Sequence, residues 1–409
     1  MSLKHAINME DLRVIARRRL PRIVFDFVEG GADDEACLDR NRNAFGRYAL
    51  LPSYMVDVAK RDASVTVLGR RYAAPFAISP MGHCGLVCPG VDLMLARAAA
   101  KANIPYLMST ASNASIEAAA AAAPQNTWFQ IYTCTDEGVN SDLMRRAQAL
   151  SLEVLVVTVD VPVSSNRERN RRNGFSRPPK LSMGAALEAL RHPAWIARFY
   201  QCGGIPPMGN WLSYVPAGAS PEAAADLFGK LTPDPSMTWE RLRAIRSQWR
   251  GKLVIKGILN PMDALKAVDI GVDALIISNH GGRQLDPAPA TLDMLPFIKA
   301  AVGDRAELLL DSGIRRGSDI VKAMALGAST TLFGRPWLYA AAAGGAAGLD
   351  HLVALMRREL DLIMGQTGLR TLDDVAHEMI WAPGDAGLAA LAQSRAGSKP
   401  EMRLAGGDT

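Results

Sequence analysis

The chain has 409 residues, 49% hydrophobic and 21% charged, a balance that suits a soluble globular fold and excludes the disordered and fibrous classes. Its 46 Lys and Arg against 41 Asp and Glu leave a net charge of +5, which favours anionic partners without choosing between nucleic acid, membrane and small anions. No run approaches the ~20 uninterrupted apolar residues that a membrane-spanning helix needs, and five scattered cysteines predict thiols rather than a disulfide framework.

The start, "MSLKHAINMEDLRVIARRRLP", carries acidic residues and lacks an apolar h-region, so no secretory signal is read and a cytoplasmic location is expected. "LPRIVFDFVEGGADDE" predicts a helix ending at Gly30 and Gly31, and residues 1–74 are expected to cap one end of the fold that follows. From Pro75 onward, β-rich apolar runs alternate with amphipathic helical patterns. The runs are "PFAISPM", "YLMST", "WFQIY" and "EVLVVTVD", then after a gap "LVIKGI", "ALIISN", "ELLLDSG" and "STTLFGR". Eight near-continuous apolar strands separated by helices predict a parallel (β/α)8 TIM barrel, with residues 1–385 as one domain.

Residues 164–238 interrupt the passage from the fourth strand to the fifth. Within them "LSMGAALEALRHPAWIARFYQCGG" sets Leu187, Leu190, Trp195, Ile196, Phe199 and Tyr200 beside Arg191, His192 and Arg198. A basic, aromatic helix of this kind, in the stretch 177–215, either lies in a membrane interface or packs on its own barrel or a neighbouring subunit. The tail, 386–409, is rich in Ala, Gly and polar residues and is expected to be flexible.

In such a barrel the active site forms at the carboxyl ends of the strands. The polar residues closing the runs are Gln130 and Tyr132, Thr158 and Asp160, Lys256, Ser278 and His280 with Arg283 just after, Asp311, Gly313 and Arg315, then Gly334 and Arg335. "DSGIRRGSDI" and "FGRP" join glycines, arginines and helix starts, which suits a phosphate held by backbone N–H groups, the helix dipole, Arg315 and Arg335. Neither GxGxxG nor GxxxxGKS/T occurs in the right context, against a Rossmann module or a P-loop. In "SNHGGRQLD", His280 is placed to exchange a proton and Arg283 to grip a carboxylate, with Asp160 as partner of the imidazole. His83, Cys84 and Cys88 in "GHCGLVC" lack the second pair a tetrahedral metal shell requires. Two rival readings remain: Lys256 as a Schiff-base nucleophile of an aldolase-like barrel, and "NRERNRR" as a nucleic-acid patch, although no nucleic-acid motif accompanies it.

These motifs, from "RRRLPRIVFDFVEGGADDE" through "FQIY", "TVDVP", "VIKGI", "SNHGGRQLD" and "DSGIRRGSDIVKAMALGA" to "GRP", resemble the FMN-dependent (S)-2-hydroxy acid dehydrogenases and oxidases over most of residues 10–380. The resemblance implies oxidation of a lactate- or mandelate-like acid, with electrons passing through FMN to a quinone or another acceptor, or to oxygen in an oxidase. His280 would take the hydroxyl proton with Asp160 behind it, Arg283 and Arg167 would bind the carboxylate, and Tyr132 the substrate oxygen. Lys256 would sit by flavin N1. Ser109, Gln130, Thr158 and Ser278 would line the flavin with backbone contacts from Pro80, Met81 and Gly82. Asp311 would contact the ribityl chain, and Gly313, Arg315, Gly334 and Arg335 the phosphate. Phe27 stands where the family usually has a tyrosine, and Gly82 resembles the dehydrogenases rather than the oxidases, which tend to carry alanine. A homotetramer or larger oligomer, placed peripherally on the inner face of the cell membrane, is implied as well.

Overall fold

The apolar runs close on themselves. A computed structural model describes residues 2–175 and 183–382, and in it eight parallel strands form a closed barrel: β1 (Phe76–Ile78), β2 (Tyr106–Ser109), β3 (Thr127–Ile131), β4 (Val154–Thr158), β5 (Lys252–Ile258), β6 (Ala274–Ile277), β7 (Glu307–Leu310) and β8 (Thr330–Phe333). β8 pairs with β1 to complete the circuit. The tail expected at 386–409 lies outside the described residues.

Side chains alternate across each strand, and this alternation divides the core in two. Ile78, Met108, Phe129, Val157, Ile255, Ile277, Leu310 and Phe333 face the surrounding helices, whereas Ala77, Leu107, Trp128, Val156, Val254, Ile276, Leu309 and Leu332 fill the interior. Two residues further along, on that interior side, come Ser79, Ser109, Gln130, Thr158, Lys256, Ser278, Asp311 and Gly334. A polar layer thus stands directly on an apolar one, which is why the strand-end residues converge.

The N-terminal segment serves both ends of the barrel, not the single end expected. A hairpin of Val65–Val67 and Arg70–Tyr72 packs Val65, Val67 and Tyr72 onto the interior apolar layer, and Trp128 Nε1 donates to Tyr72 Oη at 3.1 Å. Without it, the bottom of the core would face water. Helix α1 (Met9–Arg19) and helix α2 (Arg22–Glu29) follow the other route: α2, ending at the Gly30 cap, lies over the carboxyl mouth of the strands.

The insertion was read as one basic helix, but the chain forms two, α3 (Met183–Ala189) and α4 (Pro193–Gln201). Pro193 opens the second, where a missing N–H costs nothing, and cannot continue the first. Residues 176–182, part of the expected membrane-contacting stretch, lie outside the described residues. Glu188 Oε2 accepts from Arg22 N at 2.9 Å, and Trp195 Nε1 donates to Leu86 O at 2.8 Å, so both helices are tied to the mouth. Trp195 stacks on Phe199 at 4.9 Å, turning those rings inward. Met183, Leu187, Leu190 and Tyr200 are instead 63–83% exposed. No helix among the described residues is long and apolar enough to cross a membrane.

Candidate active site

A cavity of about 970 Å³ opens at the carboxyl ends of the strands. Of the polar layer, Ser79, Thr158, Lys256, Asp311 and Gly334 form its wall, together with Pro80, Met81 and Gly82. Ser109, Gln130 and Ser278 are buried just behind. Ser109 Oγ accepts from Ala111 N at 3.1 Å and shapes the turn there. Gln130 Nε2 donates to Thr158 Oγ1 at 2.9 Å, which leaves Gln130 Oε1 buried without a protein partner, as is Ser79 Oγ.

Lys256 Nζ lies 2.9 Å from Asp311 Oδ2 and donates to Ser278 Oγ at 2.5 Å. Burial alone would lower the ammonium's pKa, but Asp311 and Asp160 overcome it and raise the value above normal. Lys256 is therefore a fixed cation, and the Schiff-base reading, which needs a neutral amine, loses its chemistry.

Next to it stands His280. Its Nδ1 is 2.8 Å from Asp160 Oδ1 and its Nε2 is 3.3 Å from Tyr132 Oη. The carboxylate must accept from Nδ1–H, so the Nε2 lone pair faces the tyrosine and the cavity. Burial lowers the imidazole pKa, and although Asp160 pulls the other way it does not reverse the shift; the ring is a neutral base at pH 7. Burial also presses on Asp160, but His280 and Lys256 hold it ionised, below the usual carboxylate range. Two strained positions build this pair. His280 sits at φ +58, and Gly257 at φ +110 lets Asp160 in, since a Cβ there would fall 2.5 Å from the Asp160 Cβ.

The cations converge through α2. Arg283 Nη1 donates to the carbonyls of Phe27, Val28 and Gly30 at 2.9, 3.2 and 3.1 Å. Arg335 donates to Val28 O, Gly30 O and Gly281 O at 3.0, 3.0 and 2.9 Å. The last carbonyls of a helix have no partner within it, and here they hold two arginines at the cavity. Arg167 Nε donates to Ser165 Oγ and to Arg283 O at 3.0 and 3.3 Å, completing the carboxylate side. Of the rest of "NRERNRR", Arg169 pairs inward with Glu35 and Asp26, while the exposed Arg172 pairs with Glu168 one turn away and the exposed Arg171 donates to Asn166 Oδ1 at 2.9 Å. Arg167, Asn170 and Arg171 of this segment line the cavity.

At the other end, Arg315 is half-buried, and the loss of water around it, reinforced by Arg335 and Arg42 as like charges, lowers its pKa. Crowded guanidinium groups call for an anion. One expectation is corrected here. Helix α5 (Gly317–Ala325) does not offer its first N–H groups, because Asp319 accepts from Arg315 N and Arg316 N at 2.8 and 2.9 Å and Glu359 from Gly317 N at 2.9 Å. Gly313, Gly334 and the start of helix α6 (Arg335–Gly344) line the cavity there instead.

Comparison with known proteins agrees with this geometry. Residues 16–382 match the family described as FMN-dependent dehydrogenase. The chain belongs to that family. It is 39% identical over 381 residues to an (S)-mandelate dehydrogenase from Pseudomonas putida, covering 93% of this chain and 95% of that one. It is 40% identical over 367 residues to an L-lactate dehydrogenase from Caulobacter vibrioides, covering 89% and 95%. A crystal structure of the monotopic membrane protein (S)-mandelate dehydrogenase superposes with a TM-score of 0.88 at 38% identity, covering 92% of this chain and all of that one.

The cavity of this FMN-dependent dehydrogenase fits its cofactor on three counts. Buried oxygens of Gln130 and Ser79 lack protein partners, the like charges of Arg315 and Arg335 lie close enough to repel, and glycines in the wall let its loops pack tightly on their neighbours. A Cβ on Gly313, at φ +94, would meet Asn41 O at 2.3 Å, and one on Gly82 would meet Ala111 Cβ at 2.6 Å. Sequence reading missed the Lys256–Asp311 pair and an aromatic wall of Phe175, His83 and Phe228. Phe27 stacks on Phe175 at 4.7 Å and lies 5.4 Å beneath the Arg283 guanidinium. Of these, the sequence singles out only His83, in a cluster with Cys84 and Cys88 that lacks the pair a metal shell requires.

Proposed function

We propose that this chain oxidises a small (S)-2-hydroxy acid, lactate- or mandelate-like, to the 2-oxo acid. The reading is carried by one observation: a half-buried His280, backed by Asp160 at 2.8 Å, lines one cavity with Arg283 and Lys256. Bound FMN supplies a two-electron acceptor. Arg315, Arg335 and the backbone at Gly313 and Gly334 would hold its phosphate, and Asp311 its ribityl chain. Pro80, Met81, Gly82 and Thr158 would line its ring, with Ser109, Gln130 and Ser278 setting the wall from behind.

Arg283 and Arg167 bind the substrate carboxylate, and Tyr132 hydrogen-bonds the oxygen being oxidised. His280 Nε2 takes the hydroxyl proton as the C–H electrons leave. Asp160 stabilises the imidazolium that results, and the Lys256 cation would favour negative charge on a cofactor bound beside it. Burial helps twice: it keeps His280 unprotonated before the reaction and strengthens the Asp160 attraction during it.

Both electrons would then pass on to a quinone or another acceptor more than to oxygen. Exposed Met183, Leu187, Leu190 and Tyr200, flanked by Arg191 and Arg198, support peripheral contact with the inner face of the cell membrane, where such an acceptor resides. The membrane-associated neighbour of the same fold supports it too. The test is anaerobic mixing of FMN-loaded protein with lactate, mandelate and related acids. Loss of the yellow flavin absorbance is expected; a protein that takes up no FMN, or whose flavin no 2-hydroxy acid bleaches, defeats the reading. Turnover under oxygen against turnover with a quinone then ranks the acceptors.

A further inference from the structure

His280 stands on unusual backbone. It and the two residues after it, Gly281 and Gly282, adopt φ of +58, +66 and +71, a run of left-handed residues that L-amino acids avoid. Such a turn persists only where its surroundings hold it. Here each of its three N–H groups meets a side-chain oxygen. His280 N donates to Ser278 Oγ at 3.1 Å, Gly281 N to Ser312 Oγ at 3.0 Å and Gly282 N to Asn279 Oδ1 at 3.2 Å. Ser278 and Asn279 follow β6 directly and travel with the turn, whereas Ser312 reaches it from the end of β7.

Ser312 is itself strained, at φ +78, where the backbone favours glycine. Its hydroxyl accounts for the serine. While accepting from Gly281, Ser312 Oγ donates to Asp311 Oδ1 at 2.7 Å, and the other oxygen of that carboxylate lies 2.9 Å from Lys256 Nζ. Lys256 in turn donates at 2.5 Å to Ser278 Oγ, the acceptor of His280 N. One buried ion pair therefore reaches the base's turn twice, through two hydroxyls on adjacent N–H groups. Ser312 is 8% exposed, so its hydroxyl cannot rotate away without leaving Asp311 or Gly281 short of a partner.

We propose that Ser312 is a positioning residue for the base: by bridging Asp311 to Gly281 N it holds the His280 turn so that Nδ1 meets Asp160 and Nε2 faces the cavity. This rests on the hydroxy acid reading above, in which His280 takes the proton, and adds a residue that reading does not use. Loss of the bridge removes one hydrogen bond and lets the ring drift from its proton-transfer geometry, slowing the reaction about 10-fold. The arginines that hold the carboxylate are untouched.

The experiment mixes FMN-loaded wild type, Ser312→Gly and Ser312→Ala anaerobically with lactate, mandelate and related acids, and follows reduction per bound flavin. Ser312→Gly relieves the strain at φ +78, so it should melt no lower than Ser312→Ala. Its limiting rate should nevertheless fall about 10-fold, with the half-saturating substrate concentration within about twofold of wild type. A residue that only fills space would leave the glycine variant at full rate. The second readout needs no turnover: the proton that His280 Nδ1 shares with Asp160 should give a downfield proton resonance in the wild-type holoenzyme, identified by its absence in His280→Asn, and should be lost to exchange with water in Ser312→Gly. A Ser312→Gly rate within about twofold of wild type, a defect carried chiefly by the half-saturating concentration, or a resonance that does not differ between the two proteins overturns the role of Ser312 and leaves hydroxy acid oxidation standing. Wild-type flavin that none of the acids reduces overturns that oxidation, while the resonance still decides whether Ser312 holds the ring.

Discussion

Replacing Asp160 by Asn removes a charge and keeps the shape. The carboxylate and imidazole are in contact, Oδ1 to Nδ1 at 2.8 Å, with side-chain exposures of 10% and 17%. With charge centres about 4 Å apart and an effective dielectric near 20, a full imidazolium gains about 4 kcal/mol from Asp160. The proton is only partly transferred in the transition state, so about 2–4 kcal/mol is at stake, or roughly 30- to 1,000-fold in rate. The assay is anaerobic rapid mixing, following flavin reduction across pH. In the wild type, burial sets the His280 pKa below 6.5; the base form is present above that pKa, so kcat/KM rises with pH through an acid limb below 6.5 and is flat at neutrality. Asp160 raises the His280 pKa against burial, so Asp160→Asn moves the limb further down as the plateau falls. A plateau within threefold of wild type, or a limb displaced upward, would refute the pairing as the source of the base's strength.

Lys256→Met strands Asp311, only 7% exposed, as a lone buried carboxylate; a loss of about 3–5 kcal/mol should appear as a lower melting temperature, with flavin reduction slowed in the FMN-loaded fraction. Gly313→Ala adds a Cβ 2.3 Å from Asn41 O at φ +94, so FMN affinity measured by fluorescence quenching should drop by at least about tenfold, and unchanged affinity would move the phosphate elsewhere. Phe27→Tyr places a hydroxyl near Arg283 and should lower KM by about tenfold if it reaches the carboxylate, with kcat little altered. Leu187→Glu with Leu190→Glu should abolish co-sedimentation with anionic lipid vesicles and leave reduction of the flavin by substrate intact; sedimentation equal to wild type would remove α3 from the membrane contact.

What the sequence disclosed follows from how each contact is made. Gln130, Thr158, Lys256 and Ser278 were legible because a barrel strand has a period of two and a fixed direction: two steps past an interior apolar residue, a side chain must reach the mouth, whereas Ser109 came only through the family resemblance. His280 and Arg283 were legible through a motif whose residues are neighbours in the chain. Residues brought together by separate elements left no such trace. Lys256 and Asp311 close on strands that are not adjacent, and Asp319 caps the N–H groups of Arg315 and Arg316 that otherwise read as a phosphate cradle. The α2 carbonyls orient Arg283 and Arg335, though nothing in "RIVFDFVEGG" names those partners.

The aromatic wall shows the same limit more sharply. Phe27, His83, Phe175 and Phe228 come from α2, the first strand's loop and two parts of the insertion, so no periodicity relates them. Each alone reads as core or surface. The chemistry common to the family is carried by strand ends, where the barrel dictates position, while the side-chain end of the cavity is assembled from connections that vary in length and path. A chain can therefore retain Asp160, His280 and Lys256 and change what it oxidises by altering Phe27. The Phe27 ring, stacked between Phe175 and the Arg283 guanidinium, already exchanges a hydrogen bond for flat apolar surface, which moves discrimination from the carboxylate to the side chain.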